Sequence, residues 1–450
     1  MNNYSRNILK RLDQIINNTA NHIHNFISDP HAFTRKRKLD VATLLKTTIN
    51  MQGNCLDKEL FDAFADKDYR ITTSAYVQQK SKLSPECFKN ILDDFNKNLY
   101  HVRFLNGKYR LLAIDGSDFN QLFNHDSKNK FFLKQFNTTI CQLHVNAMYD
   151  LLNNTYQDCI FQSKAQMDER TAALKMLKSL NIGQYIVLMD RGYSSFNLIE
   201  NCNRLSDCHY LIRTKSNKTA IKEIADLPNK ECDLQLSCKI TTSSYEYMKR
   251  KNKEIIHLIN YRRHPTKRAY SKYTNNVHWD FGAREIVKFR VCKIKIKDED
   301  TNNKDTWEVL ITNLDKEKFS LEKIKQLYHM RWGIESSFRK LKYDLGGIQF
   351  HSKQDDFVKM EIYSHMIMFN VVSQTSIQAT TRKTRKYTYI INFKMACIIV
   401  NRRYSKSSSD KIFKQILVEI SMRVIPIRPG RRDKRKMKVK EPVNFIYRVA

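Results

Sequence analysis

Two short apolar runs, each closed by an aspartate, constrain the fold more than any other feature. "GKYRLLAID" ends at Asp115, and "QYIVLMDRGY" places Asp190 directly after Ile-Val-Leu-Met. Residues apolar at both alternating positions leave no solvent side, so each run reads as a strand buried within a sheet. An acid at the end of such a strand emerges where the sheet meets its loops, the usual place for a ligand or metal site. "TICQLHVNAMYDLL", "TYQDCIFQ" and "HYLIRTKS" read as further strands, and "DERTAALKMLKSL" and "SFNLIENCNRL" as helices. From about residue 106 onward this predicts an α/β core.

The flanks differ in texture. Residues 1–105 have helical periodicity. "KLSP" joins two of the helices, with Ser84 as N-cap and Pro85 in the first turn. Short helices about a tight turn fit a helix-turn-helix or a plain helical bundle, and both readings stay open. Residues 106–216 are the first part of the core. Residues 217–306 contain alternating patterns such as "REIVKFRVCKIKIK", where Val287, Phe289 and Val291 face one way and Lys288 and Arg290 the other. They read as a mostly β insertion, with "KDEDTNNKD" as a hairpin tip. Residues 307–376 return to the core, and 377–450 form a helical, basic C-terminal region. From Arg428 to Lys440 that region holds eight cations and one acid, as a DNA contact or a solvated tail.

Lysine and arginine number 79 against 46 acids, a formal charge of +33, which favours a polyanionic partner. The start of the chain is polar and helical rather than a signal peptide, and no apolar run approaches the ~18 residues of a membrane span. The ten cysteines are scattered. Cys202 and Cys208, like Cys232 and Cys238, have five residues between them, which is not a usual zinc spacing. His22 and His24 have no further ligands nearby in sequence. These residues read as reduced thiols and ordinary core or surface side chains of a cytosolic protein.

Two carboxylates brought together at a sheet's end repel each other and lose hydration. Divalent cations relieve both costs, and Mg²⁺ takes carboxylates together with substrate phosphate oxygens. A third carboxylate completes a two-metal site. Glu335 is the natural candidate. Its surroundings, "LEKIKQLYHMRWGIESSFRKLKYDL", read as one amphipathic helix with Ile324, Leu327, Met330, Ile334, Phe338 and Leu341 on the apolar side. In such a helix Tyr328, Arg331, Glu335 and Lys342 fall within a sector of roughly 60° beside the apolar stripe. That arrangement predicts a carboxylate ligand inside a phosphate clamp, with Arg331 and Lys342 on phosphates and Tyr328 donating a hydrogen bond to one. The plainer reading is a surface ion pair of Glu335 with Arg331 or Arg339.

Together these residues resemble the DDE transposases of bacterial insertion sequences, specifically the Insertion Sequence 4 family. That family's signature is Tyr, two residues, Arg, three residues, Glu, six residues, Lys. Tyr328, Arg331, Glu335 and Lys342 match it at every spacing. Asp115 in "AIDGSDF" resembles the first family acid and Asp190 in "MDRGY" the second. The resemblance spans residues 106 to 450. It implies an RNase H-like catalytic core interrupted by a mostly β insertion. The implied metals are two Mg²⁺ ions (or Mn²⁺) held by Asp115, Asp190 and Glu335. The implied activity is cut-and-paste transposition: cleavage at the element ends, a hairpin intermediate, and strand transfer to target DNA. The implied partners are double-stranded DNA, as terminal inverted repeats and target, and a second copy of the chain in a synaptic homodimer. The implied setting is bacterial cytoplasm, at the nucleoid, with no membrane.

The resemblance also implies that Trp307, at the close of the insertion, stacks on a base flipped out during hairpin formation, with Trp279 as the competing candidate. Trp332 reads as a packing residue. Arg191 touches phosphate or locks its turn. Asp118 reads as a turn residue, and His144 as core. Two other functions remain: an RNase H-like nuclease such as a resolvase, and a non-catalytic DNA-binding protein derived from a transposase. Neither needs the spaced Tyr-Arg-Glu-Lys set.

Overall fold

The structure is a computed structural model and describes residues 7–35, 37–97, 99, 101–216, 221–259, 279–296, 307–379 and 388–427. The expected hairpin tip at 297–305 and the basic run at 428–440 lie outside the described residues. In chain order the elements are α1 (Ile8–Asn21), α2 (Val41–Asn50), α3 (Leu56–Ala63), α4 (Thr73–Lys80), α5 (Glu86–Lys97), β1 (Arg110–Gln121), β2 (Lys130–Leu133), β3 (Thr138–Asp150), β4 (Thr155–Ser163), α6 (Glu169–Ser179), β5 (Tyr185–Met189), α7 (Phe196–Arg204), β6 (Cys208–Thr214), α8 (Lys222–Ala225), β7 (Cys232–Thr241), α9 (Ser244–Arg250), β8 (Ile256–Leu258), β9 (Arg284–Lys295), β10 (Trp307–Thr312), α10 (Leu321–His329), α11 (Trp332–Tyr343), α12 (Asp355–Gln378), β11 (Tyr389–Ile391), α13 (Phe393–Tyr404), α14 (Asp410–Met422) and β12 (Val424–Pro426). This is a mixed α/β protein, as the alternation of elements predicts.

The chain divides into two compact units. The first combines Met1–Val102, Gly116–Met167 and Glu335–Ala450, and the second combines Arg103–Asp115 with Asp168–Ile334. Asp115 therefore closes one piece of the second unit, and Glu335 opens the last piece of the first.

The first unit is built on α12, which is buried on every side from Phe357 to Thr375, save Lys359. A helix buried all round has no solvent face and needs neighbours on all sides. Here α1, α2, α5, α13, α14 and β4 supply them. Helix α5 turns Cys87, Phe88, Ile91, Leu92 and Phe95 inward. The N-terminal helices thus share a core with the C-terminal third of the chain. Several polar groups inside this core are matched. Asn370 accepts the backbone N–H of Tyr156 at 2.7 Å and donates to its carbonyl at 2.8 Å. Lys80 and Glu361, each almost fully buried, form an ion pair at 3.1 Å, and the Nδ1 of His351 lies 3.0 Å from the same carboxylate. Among the described residues, no helix is long and apolar enough to cross a membrane.

In the second unit the strand order is β1–β5–β6–β10–β9–β7–β8. Strands β1, β5 and β6 are parallel, joined through α6 and α7, and their residues are mostly buried on both faces. Strand β10 is antiparallel to β6 and β9, and β9 is antiparallel to β7. The strands expected in an insertion therefore lengthen the same sheet, adding α8 and α9 beside them.

Candidate active site

Register places the first two acids. Ile114 pairs with Met189 as the last pair of the parallel ladder, so Asp115 and Asp190 stand side by side where that pairing ends. Strand β5 stops there, whereas β1, expected to end at Asp115, runs on to Gln121. The Oδ2 of Asp115 lies 3.6 Å from Nη1 of Arg331, which is itself buried. The Oδ1 of Asp190 accepts the N–H of Gly192 at 2.7 Å, capping the short turn Arg191–Tyr193. A Cβ on Gly192 would sit 3.0 Å from that Oδ1, a tight contact that would press on the capping carboxylate. The Tyr193 phenol lies within this group, 1% exposed, with no hydrogen-bond partner for its hydroxyl among the described residues. Burial pushes its pKa well up, the charges of Glu169, Asp115 and Asp190 push it further, and Arg331 opposes them. Glu169 is thus an acid of this site that sequence reading missed. At the start of α6 it reads as an ordinary N-terminal helix charge.

The signature segment departs from the single helix expected. Helix α10 ends at His329 and α11 begins at Trp332. Between them the N–H of Arg331 bonds to the carbonyl of Tyr328 and that of Ile334 to Arg331, spacings of three rather than four residues. Gly333, a poor helix former, sits at this tightened turn. Tyr328 and Arg331 therefore do not share a solvent-facing stripe with Glu335. Both are buried, at 4% and 6% exposure, and Met330, expected on the apolar side, is 38% exposed. The hydroxyl of Tyr328 has no hydrogen-bond partner among the described residues. Burial raises its pKa, while Arg331 and Arg213 pull the other way.

Glu335 lies in the first turn of α11, half-buried. Within the first unit this helix is fixed from beneath by Ser337, whose hydroxyl meets the Tyr156 hydroxyl at 2.9 Å, and by the Phe338 ring against that of Tyr156. Its last turn is fixed by Lys342, which donates to Oγ of Ser117 at 2.8 Å and to the carbonyl of Asp118 at 2.7 Å. The lysine expected on phosphate thus holds α11 to β1, two and three residues after Asp115. Asp118 is a strand residue, not a turn residue, and receives His144 and Lys164, each at 2.6 Å. Burial alone would raise its pKa, but those two partners hold it below the ordinary carboxylate range. His144 is buried, as expected of a core residue.

A family model described as a transposase DDE domain matches residues 106–371, more than half of the chain. This chain belongs to the DDE transposases. It is a DNA-cleaving enzyme of a family that uses divalent metal ions. No curated protein matches the sequence. Among solved structures, it is similar to the piggyBac transposase in a synaptic complex with hairpin DNA, with 10% identity and a TM-score of 0.47 over 97% of this chain and 89% of that one.

The three tryptophans of this transposase have different surroundings. Trp307 is half-buried at the start of β10, with the Lys293 amine 5.0 Å from its ring centre. Strand alternation groups Trp307 with Val309 and Ile311, and Ile311 is level with Ile212, Met189 and Ile114. Asp115 and Asp190 belong to the alternate set, so Trp307 lies on the other sheet face from them. Trp279 is buried and donates to the carbonyl of Gly282. Trp332, expected to support packing, is 46% exposed, with the Arg331 guanidinium 4.9 Å from its ring centre. Arg191 is exposed, and Arg170 takes the turn-locking role, donating to the Gly192 carbonyl at 2.8 Å.

Lys342 gives the transposase a measurable pH signature. Burial pulls its amine down to about 8, with Asp118 opposing. Between that value and the ordinary lysine value of ~10.4, the unfolded chain holds more protons than the folded one at this position. The residue's contribution to stability therefore rises with pH. In urea unfolding at pH 7 to 10, wild type should gain on Lys342→Met by ~1 kcal/mol or more above pH 8. A difference that stays flat would show that the amine is not desolvated in this way.

Proposed function

We propose that this transposase performs metal-dependent cut-and-paste transposition of an insertion sequence, with Asp115, Asp190 and Glu335 as its catalytic acids. The observation that carries the reading is the side-by-side position of Asp115 and Asp190 directly after the last pair of adjacent parallel strands, with Arg331 on Asp115. The donors suit a hard divalent ion. Asp115, Asp190 and Glu169 offer only oxygen, and one oxygen of Asp190 is left outside its capping bond. Two Mg²⁺ ions, when bound, would activate an attacking oxygen and stabilise a leaving oxygen on phosphate. Arg331 supplies positive charge at Asp115, and Lys342 and Ser337 hold the helix that carries Glu335. An RNase H-like core, a synaptic homodimer on terminal inverted repeats, and action at the bacterial nucleoid complete the proposal. The test is cleavage of the flanking repeats by purified protein with Mg²⁺ or Mn²⁺. Specific binding without cleavage under either metal would favour a non-catalytic DNA-binding protein.

A hairpin step requires a base to leave the stack, and an aromatic platform returns ~1–3 kcal/mol per stacked base. Stacking needs an exposed ring, and Trp332 offers more of its surface than Trp307. Trp332→Ala should leave the first nick nearly intact and slow hairpin formation roughly 10-fold, with Trp307→Ala having the smaller effect on that step. A time course on end-labelled DNA resolves nicked, hairpin and blunt products. The larger effect in Trp307→Ala would restore the role implied by the family resemblance. Equal slowing of every step by both changes would make both rings structural.

A further inference from the structure

We infer that Glu223, Cys238 and His257 form a binding site for one zinc-class divalent cation, separate from the catalytic acids. All three belong to the second unit: Glu223 to α8, Cys238 to β7 and His257 to β8. One ligand atom from each lies within 4.8 Å of the other two. Cys238 is fully buried, His257 is 8% exposed, and Glu223 is partly buried. Around a tetrahedral zinc with bonds of about 2.0–2.3 Å, ligand atoms stand ~3.3–3.8 Å apart. The set is already close to that spacing. Nε2 of His257 and Oε2 of Glu223 are 2.7 Å apart, a hydrogen bond that has to open by less than about 1 Å to admit the ion.

The donor chemistry selects the ion. A thiolate, an imidazole and a carboxylate together suit zinc, and a hard ion such as Mg²⁺ does not favour sulfur or nitrogen. Without a metal, Glu223 holds His257 by a hydrogen bond, with the Cys238 sulfur within 4.8 Å of both. On binding, the Cys238 S–H bond breaks and its proton goes to solvent. The sulfur lone pair then joins the ion, and a neutral His257 moves its proton to Nδ1 to free Nε2. One proton is released per ion by the thiol. Three protein ligands leave a fourth position for water.

The surrounding elements explain what such an ion does. Helix α8 has four residues and β8 has three. Among the described residues, strand β8 pairs with β7 alone, through Lys239–Ile256, Ile240–His257 and Thr241–Leu258. Elements this short hold few hydrogen bonds of their own, and a shared ion ties both to β7. The Phe196 ring, 4.7 Å from the His257 ring, fixes the imidazole from the other side. The five-residue spacing of Cys232 and Cys238 hid this site, because its ligands are 15 and 19 positions apart and pair Cys238 with no other cysteine.

The test uses full-length protein stripped of metal and titrated with Co²⁺ as a spectroscopic stand-in, then with Zn²⁺. The expected result is a thiolate-to-cobalt charge-transfer band and intense tetrahedral visible bands saturating at about one equivalent, displaced by zinc. Cys238→Ser and His257→Gln should abolish the charge-transfer band or weaken Co²⁺ binding at least 10-fold. Asp115→Asn with Asp190→Asn should keep it, which separates this site from the catalytic one. Glu223→Gln, nearly the same shape, should fold and still bind Co²⁺ at least 10-fold more weakly. The inference is overturned if folded wild type gives no cobalt–thiolate band, or if the band survives undiminished in Cys238→Ser.

Discussion

Asp115→Asn, Asp190→Asn and Glu335→Gln are each expected to lower strand cleavage by at least ~10³-fold, the several kcal/mol that metal-assisted charge stabilisation supplies. Specific binding to the element ends should stay within a few-fold of wild type, because affinity comes from cations on phosphates. The isosteric changes keep side-chain volume, so thermal stability tests whether a loss is chemical. Asp115→Asn also removes the negative charge paired with buried Arg331 and should lower stability more than Asp190→Asn, whose amide oxygen still accepts the Gly192 N–H. Cleavage and end binding measured on the same preparations decide the matter. Near-normal cleavage by Glu335→Gln would remove Glu335 from the catalytic set, and loss of binding in step with cleavage would make these acids structural.

The second large effect is on stability. Lys80→Met strands the Glu361 carboxylate in the α12 core, and breaking a buried pair from one side costs roughly 3–5 kcal/mol. Burial pushes the Glu361 carboxyl up, while Lys80 and then His351 outweigh burial and hold it well below the usual range. With its folded value depressed, the group stabilises the protein above the ordinary glutamate pKa of ~4.3, and that contribution is lost as pH falls below it. Without Lys80, burial raises the carboxyl instead, so the deficit of Lys80→Met should shrink as pH falls and Glu361 takes up a proton. The double change Lys80→Met with Glu361→Gln should recover most of the loss, since no charge is left buried. Denaturant midpoints at pH 7 and 5 measure both effects. A Lys80→Met protein as stable as wild type would mean that the carboxylate reaches water.

The sequence made the two aspartates legible because strands buried on both faces leave no polar position until the chain leaves the sheet. Asp190 is such a position; Asp115 follows the last apolar residue paired with β5, although β1 itself runs on to Gln121. The break between α10 and α11 was hidden because apolar spacing continues across it: Leu327 and Ile334 are both buried, although the turn between them exposes Met330. That turn brings Arg331 to Asp115, a contact no helical wheel contains. Glu169 was hidden by an alternative local role, and Glu223 with His257 by distance along the chain. The helices of the first hundred residues were recognisable one by one. Their shared partner, α12, was not, because periodicity shows which face of a helix is apolar and not what covers it.

The central position of α12 has a consequence for how the protein is made. Helices α1, α2 and α5 leave the ribosome first, but the helix they pack on ends at Gln378, about 280 residues after α5. At roughly 5–20 residues per second, their apolar faces wait on the order of 15 to 60 s for that partner. Fragments that stop before Asp355 lack the helix that covers these faces and should be insoluble or rapidly degraded.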